Sequence, residues 1–485
     1  MTGTNGFLKE VRPLFLVLAA GFIVCCMAFP KIVFAYDDGE SEAEFQSFGF
    51  IEFDGLINTF TDQDFSEAVK KNEFRYRLEV KYGTSNTYLS MTTDIYYNPN
   101  LYEQDPAPYL YSGEQTTANN LKTSGSDYEI AANELFVNYQ IYPFRLRLGN
   151  QVYRWGTADV MNPTSYFTPY DFREFLFRDD DEFRQGVPSL SGMYFNDNFT
   201  LEMVLSFLHV PTLFASNGNF WSLSMRDDVF NIIIPEGDSL DADASNAGYG
   251  ARLSKTLFQT DFSLSYYHGP DNDPVLVPED SVEFIPNEPF SIIMTPQYHV
   301  VNTFGMDASM GIGDFTFQLE AAYTPDKHGA VNQDLSDLSN PAQLQWPFEV
   351  RTSEYIAYAA GFNYFVPISA IFESHTGDMV FSLDWYQSRY SDDELFGSYV
   401  NDLLTLRLQD SFLDGRLNVQ FTSIFETQNN GTVYWPEIEY DFNNGLSIKL
   451  SYADINGDLN NESIEPLFYH FRDNDFVTLK IRYRL

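Results

Sequence analysis

The last eleven residues, DFVTLKIRYRL, put Val477, Leu479, Ile481, Tyr483 and Leu485 on one parity and Thr478, Lys480, Arg482 and Arg484 on the other. Side chains alternate across a strand, so this segment has one apolar and one strongly basic face. The same period recurs along nearly the whole chain. Phe74, Tyr76, Leu78 and Val80 interleave with Arg75, Arg77, Glu79 and Lys81, and Phe144, Leu146 and Leu148 interleave with Arg145 and Arg147. No long stretch shows helical periodicity, and nothing resembles an interdomain linker.

Before this pattern comes an export signal. Lys9 and Arg12 precede an apolar run from Leu14 to Phe29, and Val33-Phe34-Ala35 offers small residues for cleavage before Tyr36. The run is short for a spanning helix, which needs about 20 apolar residues. Residues 1–35 therefore read as a signal peptide and 36–485 as the mature domain. Both cysteines, Cys25 and Cys26, fall in the leader, leaving the mature chain without a disulfide framework, a thiolate nucleophile or a cysteine metal site.

An exported chain of repeated amphipathic strands faces a constraint in lipid: an open sheet edge finds no hydrogen-bonding partner there, so the strands must close on themselves. The expected fold is all-β, a transmembrane antiparallel β-barrel of 16–18 strands. Turning a strand the wrong way would place Arg or Lys in hydrocarbon at about 2–4 kcal/mol each near the midplane, so the facing is strongly determined. Eighteen strands can be counted between residues 45 and 485. Tight connections rich in Gly, Asn and Asp, such as Asn196-Asp197-Asn198, Leu413-Asp414-Gly415 and Asn443-Asn444-Gly445, alternate with long ones. The connection near 365–377 fits that rhythm least well.

The net charge of −41 argues against nucleic acid, whose phosphates need clustered Lys and Arg, while 45 Phe and 32 Tyr are too many for a chain that stays disordered. Parity puts a similar number of bases and acids inside the barrel. Among them Arg75, Arg77, Lys81, Arg145, Arg147, Lys449, Lys480 and Arg482 are the expected pore-lining residues. The cluster from Lys449 through Lys480 and Arg482 to Arg75 and Arg77 sits where the last strands meet the first. Glu437, Glu439 and Asp441 should pair with neighbouring bases such as Arg416 and Lys449 across the wall. The Asp454–Asn460 segment reads as a turn of solvated acids, and His209, His268, His299, His328 and His470 read as polar rim residues; no metal or cofactor is expected.

Taken whole, residues 45–485 resemble a Gram-negative outer-membrane porin or channel. A short G-x-Q-x-x-x-W-G-x-x-D-x-x-N-P pattern, from Gly149 through Gln151, Trp155, Gly156 and Asp159 to Asn162-Pro163, resembles uncharacterised outer-membrane barrels, some of which serve alongside exporters of lipid or hydrophobic substrates. The resemblance implies a channel in the cell outer membrane for small or hydrophobic solutes, surrounded by lipid and lipopolysaccharide. It also implies that an early long loop, Tyr153 to Pro188, folds into the lumen as a constriction carrying Asp171, Arg173, Glu174 and Arg178. An accessory barrel of an export system, a homo-oligomer and a periplasmic exporter partner stay open at this point. An enzyme is not expected, because no motif joins the available Ser and His residues.

Overall fold

The computed structural model describes residues 43–59, 68–98, 122–124, 128–159, 161–215, 220–222, 230–233, 246–278, 290–331, 349–368, 379–395, 402–428, 430–457 and 467–485. The leader and the centre of the 365–377 connection lie outside these residues.

Eighteen antiparallel strands form one closed sheet, and the three-residue segment Lys122–Ser124 adds a short nineteenth pairing against Tyr128–Ile141. Each pairs with the next in sequence, and the first strand, Glu44–Asn58, pairs both with the second, Val69–Gly83, and with the last, Phe476–Arg484. The closing ladder runs from Phe50 opposite Arg484 to Asn58 opposite Phe476. Closure satisfies the main-chain groups that an open edge would leave bare. No helix among the described residues is long and apolar enough to cross a membrane.

The alternation read from the sequence is what the wall shows. Leu146, Leu148, Leu264, Leu319 and Leu450 are exposed on the outer surface, whereas Glu52, Arg75, Asp94, Glu320 and Lys480 point inward and are buried. A belt of apolar side chains faces out, while the wall turns many polar and charged side chains inward. Tight turns close one end. Leu413, Asp414 and Gly415 all have positive φ, as do Asn443 and Gly445, which is how Asp, Asn and Gly mark these turns in the sequence.

The long connections fold back over and into the barrel. Asp171–Phe172 pairs with Leu213–Phe214 in a small parallel ribbon, and a 3-10 turn, Leu467–Phe471, buries Leu467, Phe468 and Phe471. These segments meet in an aromatic cluster centred on Trp221, with Phe175, Phe177, Phe471 and Phe476 around it.

Candidate functional site: a loop tied across the lumen

The segment between the strands Phe144–Gln151 and Val187–Phe195 is anchored at two opposite sides of the barrel. Its departure is fixed first. Gly149 has φ of 136° beside the Leu135 carbonyl, so a Cβ there would collide with the neighbouring backbone. Asn150 donates to the Ala132 and Asn133 carbonyls, both at 2.9 Å, and Gln151 donates to the Ser189 carbonyl at 3.1 Å. The Trp155 indole N–H then donates to Glu202 at 2.9 Å.

The first anchor is Glu320, on the strand Phe315–Ala330. Its carboxylate accepts hydrogen bonds from the backbone N–H groups of Thr157 and Ala158, from the Thr164 hydroxyl at 3.1 Å and from the Asn162 amide at 3.2 Å. Gly156, at φ 97°, lies against that carboxylate where no Cβ would fit. Asp159 accepts from Gln318 at 3.3 Å and from Asn363 at 3.1 Å. The sequence pattern from Gly149 to Asn162 is therefore the hinge and first fastening of this loop. Asn162 also links the loop to itself, accepting from Arg184 at 2.6 Å.

The second anchor is the wall formed by the first strands and the last two. Lys449 and Lys480 stand directly opposite each other across the final ladder, an arrangement that is unfavourable without a counter-ion. Asp179 of the loop supplies one, reaching Lys480 at 3.0 Å, Arg482 at 3.4 Å and Lys449 at 3.5 Å. Asp181 pairs with Arg75 at 3.1 Å and with Arg77, while Asp94 on the strand Thr87–Tyr97 accepts from Arg75 at 3.0 Å and from Arg77 at 2.7 Å. Glu182 accepts from the Tyr96 hydroxyl at 3.0 Å and lies 3.2 Å from Arg75. Lys71 bridges Asp54 at 2.9 Å and Glu174 at 2.7 Å.

Deeper in the loop, Arg173 is completely enclosed between Asp171 at 2.7 Å and Glu129 at 2.8 Å, and Arg178 pairs with Asp171. Burial alone would raise the Asp179 carboxyl, but Lys480, Lys449 and Arg482 outweigh it and hold the group well below the usual carboxylate range. Glu182 is likewise brought down to about 2, burial being overcome by Arg75, Arg178 and Lys480. Glu52, Asp179 and Glu182 bring carboxylate oxygens within 4.8 Å of one another, the one such acid or histidine group among the described residues. Every member already faces guanidinium or ammonium groups, so the cluster is a salt network rather than a vacant ligand set.

The eight basic wall residues thus divide. Arg75, Arg77, Lys449, Lys480 and Arg482 are drawn into the network. Lys81 lies over the Tyr88 ring at 4.1 Å, and Arg147 contacts Asn138 at 3.1 Å and the Phe136 ring. Arg145 and Arg147 line a polar hollow of about 200 Å³ together with Arg154, Glu202 and Arg252. A larger polar hollow of about 550 Å³ lies beside Thr157, Arg252 and Asp307 near the short turns.

Lys449 pairs with Glu437 at 2.7 Å and Arg484 with Asp441 at 3.5 Å, whereas Arg416 donates to the Tyr440 hydroxyl at 3.3 Å instead of to an acid. Asp454 and Asn456 belong to the strand Leu446–Asn456 and pair with each other at 3.0 Å; residues 458–460 lie outside the described ones. The rings of His299 and His328 stack at 3.9 Å. Alternation along its strand is enough to turn Glu320 inward, but nothing in the sequence signals that it receives the loop. Nor does anything there signal the role of Glu426, which accepts the Leu467 N–H at 2.7 Å and fastens the last loop.

The family model described as a protein of unknown function, DUF1302, matches residues 52–485. The chain belongs to this family. No curated protein matches the sequence. Among solved structures it is similar to Acinetobacter baumannii OccAB1, at 9% identity and TM-score 0.49, over 93% of this chain and 99% of that one. It is also similar to Pseudomonas aeruginosa OccK2 (OpdF) in complex with glucuronate, at 10% identity and TM-score 0.44, over 91% and 98%. Salmonella typhi OmpF in complex with daunomycin follows at 9% identity and TM-score 0.40, over 91% and 97%. Similarity this distant carries nothing about solutes, and the functional reading rests on the barrel's own geometry.

Proposed function

We propose that this protein is an outer-membrane diffusion channel whose bore is narrowed by the loop of residues 152–186, passing small polar or weakly hydrophobic solutes. A closed barrel with an apolar belt outside and a charged lumen inside suits a lipid bilayer and wastes its outer surface in water. Outer-membrane lipid and lipopolysaccharide would cover that belt, with the tight turns on the periplasmic side.

The observation that carries the reading is the double anchorage of the loop. A surface loop would leave Asp179, Asp181 and Glu182 in solvent; here they meet strand cations inside the barrel. In this reading Arg75, Arg77, Lys449, Lys480 and Arg482 hold the constriction, and Asp171, Arg173, Glu174 and Arg178 stiffen it. Lys81, Arg145 and Arg147 are left to meet the passing solute.

The test is planar-bilayer recording of the purified protein beside a variant lacking Asp171 to Arg184, with heat-modifiable gel mobility as the check that both barrels fold. The channel reading expects a small conductance that rises several-fold in the deletion. Equal conductance would return the loop to a peripheral role, and silence from both would favour an accessory barrel without transport.

A further inference from the structure

Above the loop, on the side of the long connections, lies a cavity of about 140 Å³ that the salt network does not use. Its origin is visible in the register. Ala322 and Ala357 face each other across adjacent strands, both buried, in a row of small residues that continues to Gly305 on one side and Ser388 on the other, so the wall is indented there. Tyr267, Tyr355 and Tyr386 surround this indentation from the wall, Tyr170 and Phe172 close it from the loop, and Trp221 and Phe471 cover it.

One end is polar. Lys327 pairs with Asp271 at 2.6 Å and lies 4.7 Å from the Tyr355 ring centre. Asp273, which also lines the cavity, accepts from the Thr212 hydroxyl at 3.3 Å. Two acids against one ammonium make this end net negative.

Size and charge together select the occupant. Drug-sized ligands occupy pockets of roughly 300–1,000 Å³, whereas a cavity of about 150 Å³ accommodates a single benzene ring. Rings already lining the space favour an aromatic guest through edge and offset contacts. A carboxylate on the guest would add a third negative charge beside Asp271 and Asp273, while a hydroxyl could donate to either acid. We infer that this cavity is a binding site for an uncharged single-ring aromatic solute bearing a hydroxyl group, of which phenol is the simplest member.

The inference goes beyond the channel reading and is separable from it, since binding at equilibrium requires no conduction. The probe is radiolabelled phenol in equilibrium dialysis against the purified full-length barrel at pH 8, with detergent-matched blanks to remove micelle partitioning. Saturable binding at one site per chain is expected, with benzoate at least tenfold weaker and glucose undetectable. Ala357→Phe should fill the hollow and lower phenol affinity at least tenfold with heat-modifiable mobility retained; Ala322→Leu, on the facing strand, provides the same test if the larger side chain disturbs assembly. Uptake no greater than the blank, equal affinity for benzoate, or full binding by a folded cavity-filling variant would each overturn the assignment. Conductance of the same preparations is irrelevant to these outcomes, so a silent barrel that binds phenol would remove the channel and keep the site.

Discussion

Replacing Asp179 with Asn tests the second anchor at its most connected point. The carboxylate lies 3.0 to 3.5 Å from Lys480, Arg482 and Lys449. At an effective dielectric of about 20, each such pair is worth roughly 5 kcal/mol before solvation is considered. Three facts reduce that figure. The Asp179 side chain retains 23% exposure. Lys449 keeps Glu437 at 2.7 Å, Arg482 keeps Glu52 at 2.6 Å, and Lys480 keeps Asp54 at 3.5 Å. The acid also gives up its own hydration on docking.

Removing one member of a fully buried ion pair costs about 3–5 kcal/mol, so a partly hydrated one with surviving partners should cost about 2–3 kcal/mol. At about 1.4 kcal/mol per decade, the population with this end of the loop released should rise roughly 30- to 150-fold. In single-channel records Asp179→Asn should show frequent excursions to a larger conductance level. Adding Lys480→Gln should partly restore the quiet trace, because it removes one of the two lysines left facing each other once the carboxylate they share is gone. An unchanged trace in Asp179→Asn, or a double variant that is worse by the sum of its parts, would refute the idea that Asp179 neutralises this pair.

The pH response follows from the depressed carboxyls. Asp179 and Glu182 contribute fastening energy above their unfastened pKa values, near 4, and lose it as pH falls through the docked values, about 2 for Glu182. Conductance should therefore be flat from pH 7 to 5 and rise only below about pH 4.5; a step near pH 6 would contradict this. At the other anchor, Gly156→Ala must leave φ 97° or displace Glu320, costing about 1–3 kcal/mol, and hydrogen exchange at residues 157–164 should accelerate while the strands stay protected. Arg75→Gln would strip charge from Asp94, Asp181 and Glu182 together and should lower the temperature of heat modification more than Arg145→Gln, whose side chain makes no ion pair among the described residues. Burial brings His209 down to about 4 where it packs edge-on to Tyr298, so its neutral-state packing is fully stable above about pH 6.5 and weakens toward pH 4; proteolysis within residues 207–215 should increase over that window.

The strands were legible because a period of two is a local signal that the wall cannot violate cheaply. Glu52 reads as inward from its immediate neighbours, and its partners Arg75 and Arg482 sit beside it in the ladders. The turns were legible for a similar reason, since Asn443 and Gly445 announce positive φ without help from distant residues. The loop was different. Asp179 and Lys480 are 301 positions apart, and nothing near either residue says that they meet. Glu320 is one of about a dozen inward acids, distinguished only by the backbone N–H groups that the loop brings to it. The phenol-sized cavity was hidden altogether, because Ala322 and Ala357 become a hollow only when register sets them side by side.

Lys449 and Lys480 are the most informative violation of the pairing rules. Much of the wall sets opposite charges in register, with Arg482 opposite Glu52 and Arg77 opposite Asp94, and each of these lysines has an acid opposite it on its other side, Asp54 for Lys480 and Glu439 for Lys449. A barrel serving only as scaffold would gain from an acid at either lysine position. Placing like charges in register instead leaves a site that a loop carboxylate can join, beside the wall's own Glu437 and Asp54. Glu320 fixes the loop through main-chain hydrogen bonds, which are insensitive to salt, whereas the lysine end is held by partly hydrated charges that salt can screen over about 8 Å. The two ends therefore differ in kind: one is a permanent hinge, and the other is the end that can let go.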